Sequence, residues 1–248
     1  MNISRNWLKE FVDIEATDRE YDEIMTIAGQ KVETTTRMDA EIKNVVVGKV
    51  LSMARHENSD HMWVCMVDVG AGEPVQIVTG AQNVHEGDLV PVAQHNSWLP
   101  GGVHITKGKL RGVESCGMLC SFKELGLTQN DVPDAYEDGI WILNNEDCTV
   151  GEDINRVMGT DDSIVEFEIT NNRPDCYSLL GLARETAAAF NVPMHHHEPV
   201  VKGGAEGELS ALLDVEVPAE DLCLRYSARM VRNVKIAPSP KWMRQRLR

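Results

Sequence analysis

The sequence lacks the features that would place the protein in a membrane or outside the cell. Its 248 residues contain no apolar run of about 18 residues, the length that a membrane-spanning helix requires. The first thirty residues carry charged side chains such as Lys9, Glu10 and Asp13, where a signal peptide would need an unbroken apolar segment. These absences predict a cytoplasmic protein that is not bound to a membrane.

Cysteine is sparse and irregularly placed. The six cysteines lack the dense, regular spacing of a secreted disulfide framework, so reduced thiols are expected. Cys116 and Cys120 lie four residues apart and could form half of a metal site. No second Cys or His pair with zinc spacing follows them, and we therefore interpret them as small packed side chains.

Positive charge is also scarce. The chain has 24 Lys and Arg residues against 39 Asp and Glu residues, a net charge of -15, so any binding of nucleic acid must be local. The segment from Leu222 onward departs from this average because its basic residues meet no acidic one. They are Arg225, Arg229, Arg232, Lys235, Lys241, Arg244, Arg246 and Arg248.

The spacing of apolar residues predicts helices at both sides of a β-rich segment. Helical spacing at Leu8, Phe11 and Val12, and again from Tyr21 to Ala28, predicts two short helices. From Val45 the period falls to about two, which is typical of strands. Short strands are predicted at residues 45–53, 62–69, 75–78, 89–93, 103–110 and 140–143. So many short strands in so few residues predict a small closed or partly open barrel.

After Gly151 the helical spacing returns. We predict a short helix at 154–158, a strand at 164–169 and a longer helix that Asp175 caps and that runs to Phe190. Residues 1–39 are too few to bury a core alone, so we expect them to fold with residues 152–200. The predicted fold class is α+β, with an OB-fold barrel of residues 40–151 inserted in this split α/β scaffold domain.

A third unit is predicted after the glycine-rich residues 203–207. Strands are expected at 212–217 and 226–231, and Ser239 followed by Pro240 predicts the start of a helix. The predicted helix has no cap before Arg248. We therefore expect residues 209–248 to be the truncated beginning of a further α/β domain in a longer protein.

Seven sequence runs, in order along the chain, carry a family resemblance. They are residues 7–12 (WLKEFV), 45–50 (VVVGKV), 77–83 (IVTGAQN), 109–112 (KLRG) leading to 115–121 (SCGMLCS), 170–176 (TNNRPDC), 181–185 (GLARE) and 238–243 (PSPKWM). Together they make the chain resemble the N-terminal portion of the β subunit of bacterial phenylalanyl-tRNA synthetase.

The resemblance implies a segment that binds tRNA and supports assembly without catalytic residues or a cofactor of its own. It implies an α2β2 class II enzyme that attaches phenylalanine to tRNA(Phe) with ATP and Mg²⁺, with the adenylating residues in the α subunit. It also implies an editing region that begins near residue 210. The alternative that stays open is a freestanding OB-fold protein that binds tRNA or acts as a chaperone.

The barrel also resembles the tRNA-binding module that is appended to some methionyl-tRNA synthetases. That module usually has HPNADKL where this chain has HENSDHM at residues 56–62. The chain therefore lacks a lysine at His61 and a proline at Glu57, and we expect a weak grip on RNA.

A local basic surface is the predicted tRNA site. Lys107, Lys109 and Arg111 alternate along the predicted strand 103–110, so they would share one face at intervals of about 7 Å, which suits successive phosphates. Further candidates lie on or after other strands: Lys49, Arg55 and His56 as cations, and Asn83 and Ser115 as neutral donors. An ordinary solvated barrel face is the alternative.

Aromatic residues that could stack on bases are few. Trp98, beside Pro100, is the best candidate in the barrel, although a Trp that packs a loop is the alternative. We therefore expect shape-directed contact with phosphates and sugars, with a salt dependence equivalent to about two to three phosphates.

Three other patterns are interpreted as structural. Arg173 precedes a helix, and we expect Asp175 or nearby carbonyls to hold its guanidinium. Glu166 and Glu168 would share a strand face as an acid/base pair, but an exposed polar face explains them more simply. The His195, His196 and His197 run could bind metal in a hydrolase, yet a linker holds no ligands rigidly, and no metal site is predicted.

Overall fold

A computed structural model of the chain describes residues 1–200 and 209–248. The expected boundary at residues 203–207 lies outside the described residues. The described chain divides into two compact units, one of Met1–His195 with Pro240–Arg248 and one of His196–Ser239.

The first unit combines α-helices with antiparallel strands. Its strands are β1 (Asn2–Ser4), β2 (Val32–Arg37), β3 (Lys43–Arg55), β4 (Trp63–Asp68), β5 (Val75–Thr79), β6 (Leu89–Leu99), β7 (Val103–Ile105), β8 (Gly108–Leu110), β9 (Val113–Ser115), β10 (Gly117–Leu119) and β11 (Ser163–Phe167). Its helices are α1 (Arg5–Leu8), α2 (Asp18–Ile27), α3 (Ile154–Met158), α4 (Leu179–Phe190) and α5 (Lys241–Arg246).

One antiparallel sheet joins parts of the chain that are far apart in sequence. Its strand order is β1-β11-β2, and Val165 of β11 lies opposite Ile3 on one side and Thr35 on the other. A main-chain hydrogen bond of 2.7 Å from the N-terminal ammonium to Phe167 O extends the pairing. The sheet therefore ties both ends of the first forty residues to the segment around residue 165.

The helices beside this sheet begin and end at recognisable caps. Thr17 and Glu20 form a reciprocal capping box at the start of α2. Ser178 accepts a hydrogen bond from Gly181 N and caps α4, while Asn191 ends it in the left-handed conformation. The prediction that Asp175 is the cap is wrong, because Pro174–Cys176 form a separate 3-10 turn before the helix.

A buried core lies between this sheet and the helices α1, α2 and α4. Tyr21 is fully buried, and its ring meets the edge of Phe167 and stacks on Phe190. The phenol oxygen of Tyr21 lies 3.0 Å from the hydroxyl of Thr186 on α4, so this polar atom has a partner inside the core. The Arg5 guanidinium lies 4.1 Å from the centre of the Tyr21 ring.

The remaining strands form a curled antiparallel sheet, a half-barrel. Its strand order is β10-β6-β3-β4-β5, with β7 also paired to β6 and a separate hairpin of β8 and β9. The long strand β3 pairs with both β4 and β6, and its register with β4 shifts between Val50 and Ser52. Such an irregularity bends a strand, and it lets β3 belong to two parts of a curved sheet.

The start and end of the half-barrel meet. Val47 N donates to Glu152 O, and Gly151 N donates to Val47 O, each at 2.8 Å. Gly151 also approaches the backbone of Gly70 so closely that a Cβ atom at Gly70 would lie 2.8 Å from the Cα atom of Gly151. The chain therefore leaves the curled sheet close to the point where it began.

Two predicted strands of this region need correction. Residues 103–110 are not one strand, because Thr106 and Lys107 separate β7, which pairs with β6, from β8, which pairs with β9. Residues 140–143 form no ladder. They are held by single bonds from Trp141 N to Cys120 O and from Leu143 N to Leu89 O, so their apolar pattern reflects burial without strand pairing.

The second unit contains a 3-10 turn at Leu209–Ala211 among its described residues. The strands predicted at 212–217 and 226–231 are absent from the described part of this unit. Alternating apolar residues form a strand only where a neighbouring strand completes the hydrogen-bond ladder. Large apolar side chains such as Leu224 and Ile236 are accordingly exposed.

Basic residues in and just after helix α5 form ion pairs within the first unit. Lys241 pairs with Glu146, Arg246 pairs with Glu10, and Arg248 Nε lies 3.0 Å from Asp131 Oδ1. The Arg246 guanidinium also lies 5.3 Å from the centre of the Trp7 ring and 5.2 Å from the centre of the Trp242 ring. Three basic residues at the end of the chain therefore meet acids that are distant in sequence.

No helix within residues 1–200 or 209–248 combines the length and the apolar character needed to cross a membrane.

Replacing Tyr21 with Phe should destabilise the fold by about 1 kcal/mol, because it removes the buried hydrogen bond to Thr186. Urea unfolding of Tyr21→Phe, Thr186→Val and the double variant would measure the coupling between α2 and α4. Tyr136→Phe is the matched control, since Tyr136 is exposed. Additive effects of the two core changes would contradict the contact.

Tyr21 should also make the fold sensitive to alkali. Burial raises the pKa of Tyr21 to about 12, above the ordinary value of about 10 in the unfolded chain. The folded state therefore keeps the proton longer, and stability should be complete below pH 10 and fall by about 2 kcal/mol as the pH rises toward 12. Urea unfolding between pH 8 and 12 should show a shallower decline for Tyr21→Phe. Equal declines for both proteins would contradict this assignment.

Candidate nucleic-acid interface

The tip of the β8–β9 hairpin is tied to the loop that follows β3. Its two turn residues, Arg111 and Gly112, have φ values of 47° and 93°, which is the conformation of a tight hairpin turn. Arg111 Nη1 donates to Asn58 O at 3.2 Å, and Asn58 Nδ2 lies 3.4 Å from Arg111 O. The hairpin and the loop at residues 56–60 therefore form one continuous surface.

His56 links the loop and the hairpin through buried hydrogen bonds. Its side chain is buried, its Nδ1 accepts from Asn58 N at 3.0 Å, and its Nε2 lies 3.0 Å from Leu110 O. Because Nδ1 accepts, this hydrogen-bond pattern assigns the ring proton to Nε2, which then donates to the carbonyl. Both ring nitrogens are thus used within the protein, so His56 shapes the loop.

The Arg55 side chain lies next to this loop and over an aromatic ring. Its guanidinium lies 4.0 Å from the centre of the Trp63 ring and donates to Asp60 O at 2.9 Å. The Trp63 indole N–H points to Gln82 Oε1 at 3.4 Å, and Gln82 Nε2 donates to His61 O at 2.9 Å. Sequence reasoning missed Gln82 and the contact of Trp63 with Arg55. The signal was the hairpin of β3 and β4, whose last register pair is Arg55 and Trp63.

The three lysines of the predicted site occupy different places. Lys109 is exposed on β8, opposite Glu114 of β9. Lys107 lies between β7 and β8, where its backbone N donates to His95 Nδ1 at 3.1 Å. Lys49 lies in the middle of β3, opposite Asp68, about 20 Å of extended strand from Arg55.

The predicted alternation of Lys107, Lys109 and Arg111 along one strand face is therefore wrong. The strand is interrupted before Gly108, and Arg111 lies in a turn. The structure gathers Arg55, His56, Lys109 and Arg111 around the hairpin tip, and it places Lys49 apart from them. Acidic neighbours such as Asp60 and Glu114 reduce the local positive charge.

Asn83 and Ser115 are occupied by internal hydrogen bonds. The Asn83 amide donates to Ile140 O at 2.8 Å and accepts from Ile140 N at 3.1 Å. The buried Ser115 hydroxyl accepts from Val78 N at 3.0 Å and donates to Gly117 O at 2.8 Å. In this arrangement both side chains hold neighbouring segments in place.

Two of the buried thiols are weak acids. Burial raises the pKa of Cys65 to about 11 and that of Cys120 to about 12, so both thiols stay protonated at neutral pH. No group of three or more His, Cys, Asp or Glu side chains in residues 1–200 and 209–248 is arranged to hold a metal ion.

Glu166 and Glu168 are both exposed on either side of the buried Phe167, which agrees with the exposed polar face that explains their spacing. The two carboxylates have different partners. Glu166 Oε2 accepts from Thr34 at 3.3 Å, and Glu168 pairs with Lys31 at 2.6 Å.

Arg173 has the structural role that its position predicts. Its guanidinium makes a two-point contact with Asp175, through Nε at 3.2 Å and Nη2 at 2.9 Å, and it also pairs with Glu185 of α4 at 2.6 Å. The Arg173 hydrogen bonds lower the pKa of Asp175 to about 2. The loop is thus pinned to the helix that follows it.

The comparisons with known proteins agree with this arrangement. Residues 45–140 match the family described as "Putative tRNA binding domain", and these residues contain the curled sheet, the loop after β3 and the β8–β9 hairpin. The chain is 45% identical over 247 residues to the phenylalanine–tRNA ligase beta subunit of Clostridium acetobutylicum, covering 100% of this chain and 30% of that protein. The same subunit of Staphylococcus saprophyticus is 43% identical over 247 residues, covering 100% of this chain and 31% of that protein.

The chain matches the N-terminal portion of the phenylalanine–tRNA ligase beta subunit along its whole length. It spans about 30% of the length of the curated relatives. Among solved structures, the C-terminal domain of Plasmodium vivax p43 has a TM-score of 0.32 and 20% identity, covering 47% of this chain and 61% of that one. A TM-score of this size is too low to establish a common fold.

Replacing Arg173 with Ala should lower the melting temperature and leave RNA affinity unchanged, because its contacts all lie within the loop and α4. The matched control is Arg184→Ala. Arg184 is an exposed arginine on α4, and its replacement should change neither property. Differential scanning calorimetry and RNA titration would measure the two effects. An unchanged melting temperature with lost RNA binding would reverse the assignment of Arg173.

Proposed function

We propose that this chain is the tRNA-binding and structural N-terminal part of a phenylalanine–tRNA ligase beta subunit. In the intact enzyme it supports the ATP-dependent attachment of phenylalanine to tRNA(Phe). The observation that carries the proposal is that residues 45–140, matched to a tRNA-binding family, contain the curled sheet and the β8–β9 hairpin, which present Arg55 and Arg111. The identity over the whole chain favours this function over that of a freestanding tRNA-binding or chaperone-like barrel protein.

We also propose the domain arrangement that serves this function. Residues 40–151 form an OB-fold barrel inserted in a scaffold domain of residues 1–39 and 152–200, and residues 209–248 begin an editing-type domain. The pairing of β11 with β1 and β2 supports the split scaffold. The two hydrogen bonds between Val47 and residues 151–152 support an insertion whose ends lie together.

The catalytic machinery of the proposed enzyme lies elsewhere. The α subunit of an α2β2 heterotetramer supplies the adenylating residues, and ATP and Mg²⁺ act there in the cytoplasm. The present segment then needs no cofactor and carries no catalytic residue. The match of residues 45–140 to a tRNA-binding family supports a binding role for this segment.

Within the proposed tRNA site, the eight candidate residues divide by what they touch. The exposed cations supply the direct phosphate contacts, about two to three of them at a time: Lys49, Arg55, Lys107, Lys109 and Arg111. His56, Asn83 and Ser115 act as positioning residues, because their polar atoms already bond the loop after β3, Ile140 and Val78. With so few free cations on an acidic chain, affinity is modest and depends on the shape of the hairpin and loop.

Salt dependence tests the proposed interface. A tRNA(Phe) transcript titrated with the 248-residue chain at several salt concentrations should give a slope equivalent to about two to three phosphates. Lys109→Ala and Lys107→Ala should each reduce that slope by about one phosphate. Arg19→Ala, an exposed arginine on α2, is the control and should have no effect. A flat salt response, or equal effects of Lys109→Ala and Arg19→Ala, would overturn the interface.

A further inference from the structure

A row of three exposed side chains crosses the sheet at the end of β3 that lies farthest from Arg55. Lys43 of β3 is opposite Trp98 of β6, and Trp98 is opposite His104 of β7. Directly opposed residues of antiparallel strands project from the same face of a sheet. All three side chains are exposed, so a cation, an indole and an imidazole stand side by side on one open surface.

The Trp98 ring is supported on one side and accessible on the other. It stacks on His104 with ring centres 4.3 Å apart and planes within 12° of parallel. Trp98 remains 42% exposed, which is unusual for so large an apolar side chain on a folded sheet. The imidazole therefore holds the indole in place while much of the indole surface stays in contact with solvent.

A cavity of about 360 Å³ adjoins the exposed indole. It is lined by Ala40, Glu41, Lys43, Trp98, Leu99 and Gly102. A Cβ atom at Gly101 or Gly102 would meet nothing within 4 Å, so the loop after β6 leaves the mouth of the cavity open. The cavity thus combines an aromatic wall with one cation and one carboxylate.

We propose that an unpaired nucleotide of a bound RNA stacks on Trp98 in this cavity. This inference rests on the proposed tRNA-binding function. Every nucleobase has a flat face that can stack on an indole, and such stacking needs no particular base sequence. Near the loop after β3, the Trp63 ring is covered by Arg55. Trp98 would therefore supply the aromatic surface for stacking that Trp63 cannot.

The two charged residues orient the nucleotide. The Glu41 carboxylate, which accepts a hydrogen bond from Gly101 N at 3.2 Å, repels phosphate and can accept from a base amino group or a ribose hydroxyl. The Lys43 ammonium attracts the phosphate. The sugar and base therefore lie toward Glu41, and the phosphate lies toward Lys43.

The platform is separate from the interface around Arg111. Lys43 and Arg55 are the first and last residues of β3, so the length of this curled strand separates the two surfaces. Stacking on the Trp98 indole adds no charge, so the salt dependence of the platform comes from Lys43 alone, whereas the contacts around Arg111 are all ionic. Loss of the indole therefore weakens binding without changing the salt slope, and a variant can disable one site while the other stays intact.

The test uses the 248-residue chain and a tRNA(Phe) transcript. Trp98→Leu should weaken binding about 10-fold without changing the salt slope, because it removes stacking and no charge. Trp98→Phe keeps an aromatic face and should retain most of the affinity. Lys43→Ala should reduce the salt slope by about one phosphate. Binding should also quench tryptophan fluorescence, and Trp98→Phe should lose much of that quenching.

Control variants separate the stacking of a base on Trp98 from a structural role of Trp98 in the β6–β7 pair. Val103→Ala removes an exposed apolar side chain beside the row and should leave RNA affinity unchanged. Circular dichroism should show that Trp98→Leu and Trp98→Phe retain the fold. If Trp98→Leu does not fold, the folded Trp98→Phe variant decides the question. Retained RNA affinity with reduced fluorescence quenching would support stacking on Trp98, and undiminished quenching would overturn it.

Three results would overturn the inference, and they can be told apart. If the original chain binds RNA with the expected salt slope but a folded Trp98→Leu variant binds equally well, the platform fails and the proposed function stands. If the original chain binds no RNA, both fail. If Trp98→Leu leaves RNA affinity unchanged but abolishes co-purification with the α subunit, this face is a protein interface and no base stacks there.

Discussion

The pairing of β11 with both β1 and β2 is the interaction on which the rest of the structure depends. It places Val165 between Ile3 and Thr35, so residues more than a hundred positions apart share one small sheet. Such pairing has a high entropic cost because a long loop must close before the first hydrogen bond forms. The fully buried Tyr21 and Leu182 lie in the same core and offset that cost through apolar burial.

Once these ends are held together, the segment between them must also return to its starting point. The bonds between Val47 and residues 151–152 bring about this return, and they fix the curled sheet at its base. Buried polar residues then shape its far side. His56 joins the loop after β3 to the β8–β9 hairpin, and Ser115 joins that hairpin to β5. The proposed RNA surface is therefore shaped by internal hydrogen bonds, and a few exposed cations suffice on an otherwise acidic chain.

Local features of the fold could be predicted from the sequence, since they depend on nearby residues. The helical spacing of Tyr21 and Ile24 predicted α2, and the period of two predicted β3 to β6. The pairing of Arg173 with Asp175 was predicted for the same reason. The sequence predicted that residues 1–39 fold with residues 152–200, but it could not give the individual partners or the register of contacts between distant segments. Residues 140–143 have the pattern of a strand but no partner strand, and the acids that meet α5 lie far away in sequence.

The candidate site shows the same division. Arg55 and Lys109, two cations that the sequence assigned to the tRNA site, are exposed near one loop, but sequence spacing could not show that the turn at Arg111 and Gly112 would end the strand. Sequence spacing also missed the contact of Trp63 with Arg55, because this contact arises from the register of two strands. A pattern that counts residues along one strand contains no information on which residue of the next strand lies opposite.

Native-state hydrogen exchange tests the central pairing most directly. The amides of β1, β2 and β11 that take part in the ladder should be protected and should lose protection together as denaturant rises, because one cooperative unit contains all three strands. The account would be contradicted if amides of β1 or β2 exchanged at the rate of an unfolded chain while those of β11 stayed protected.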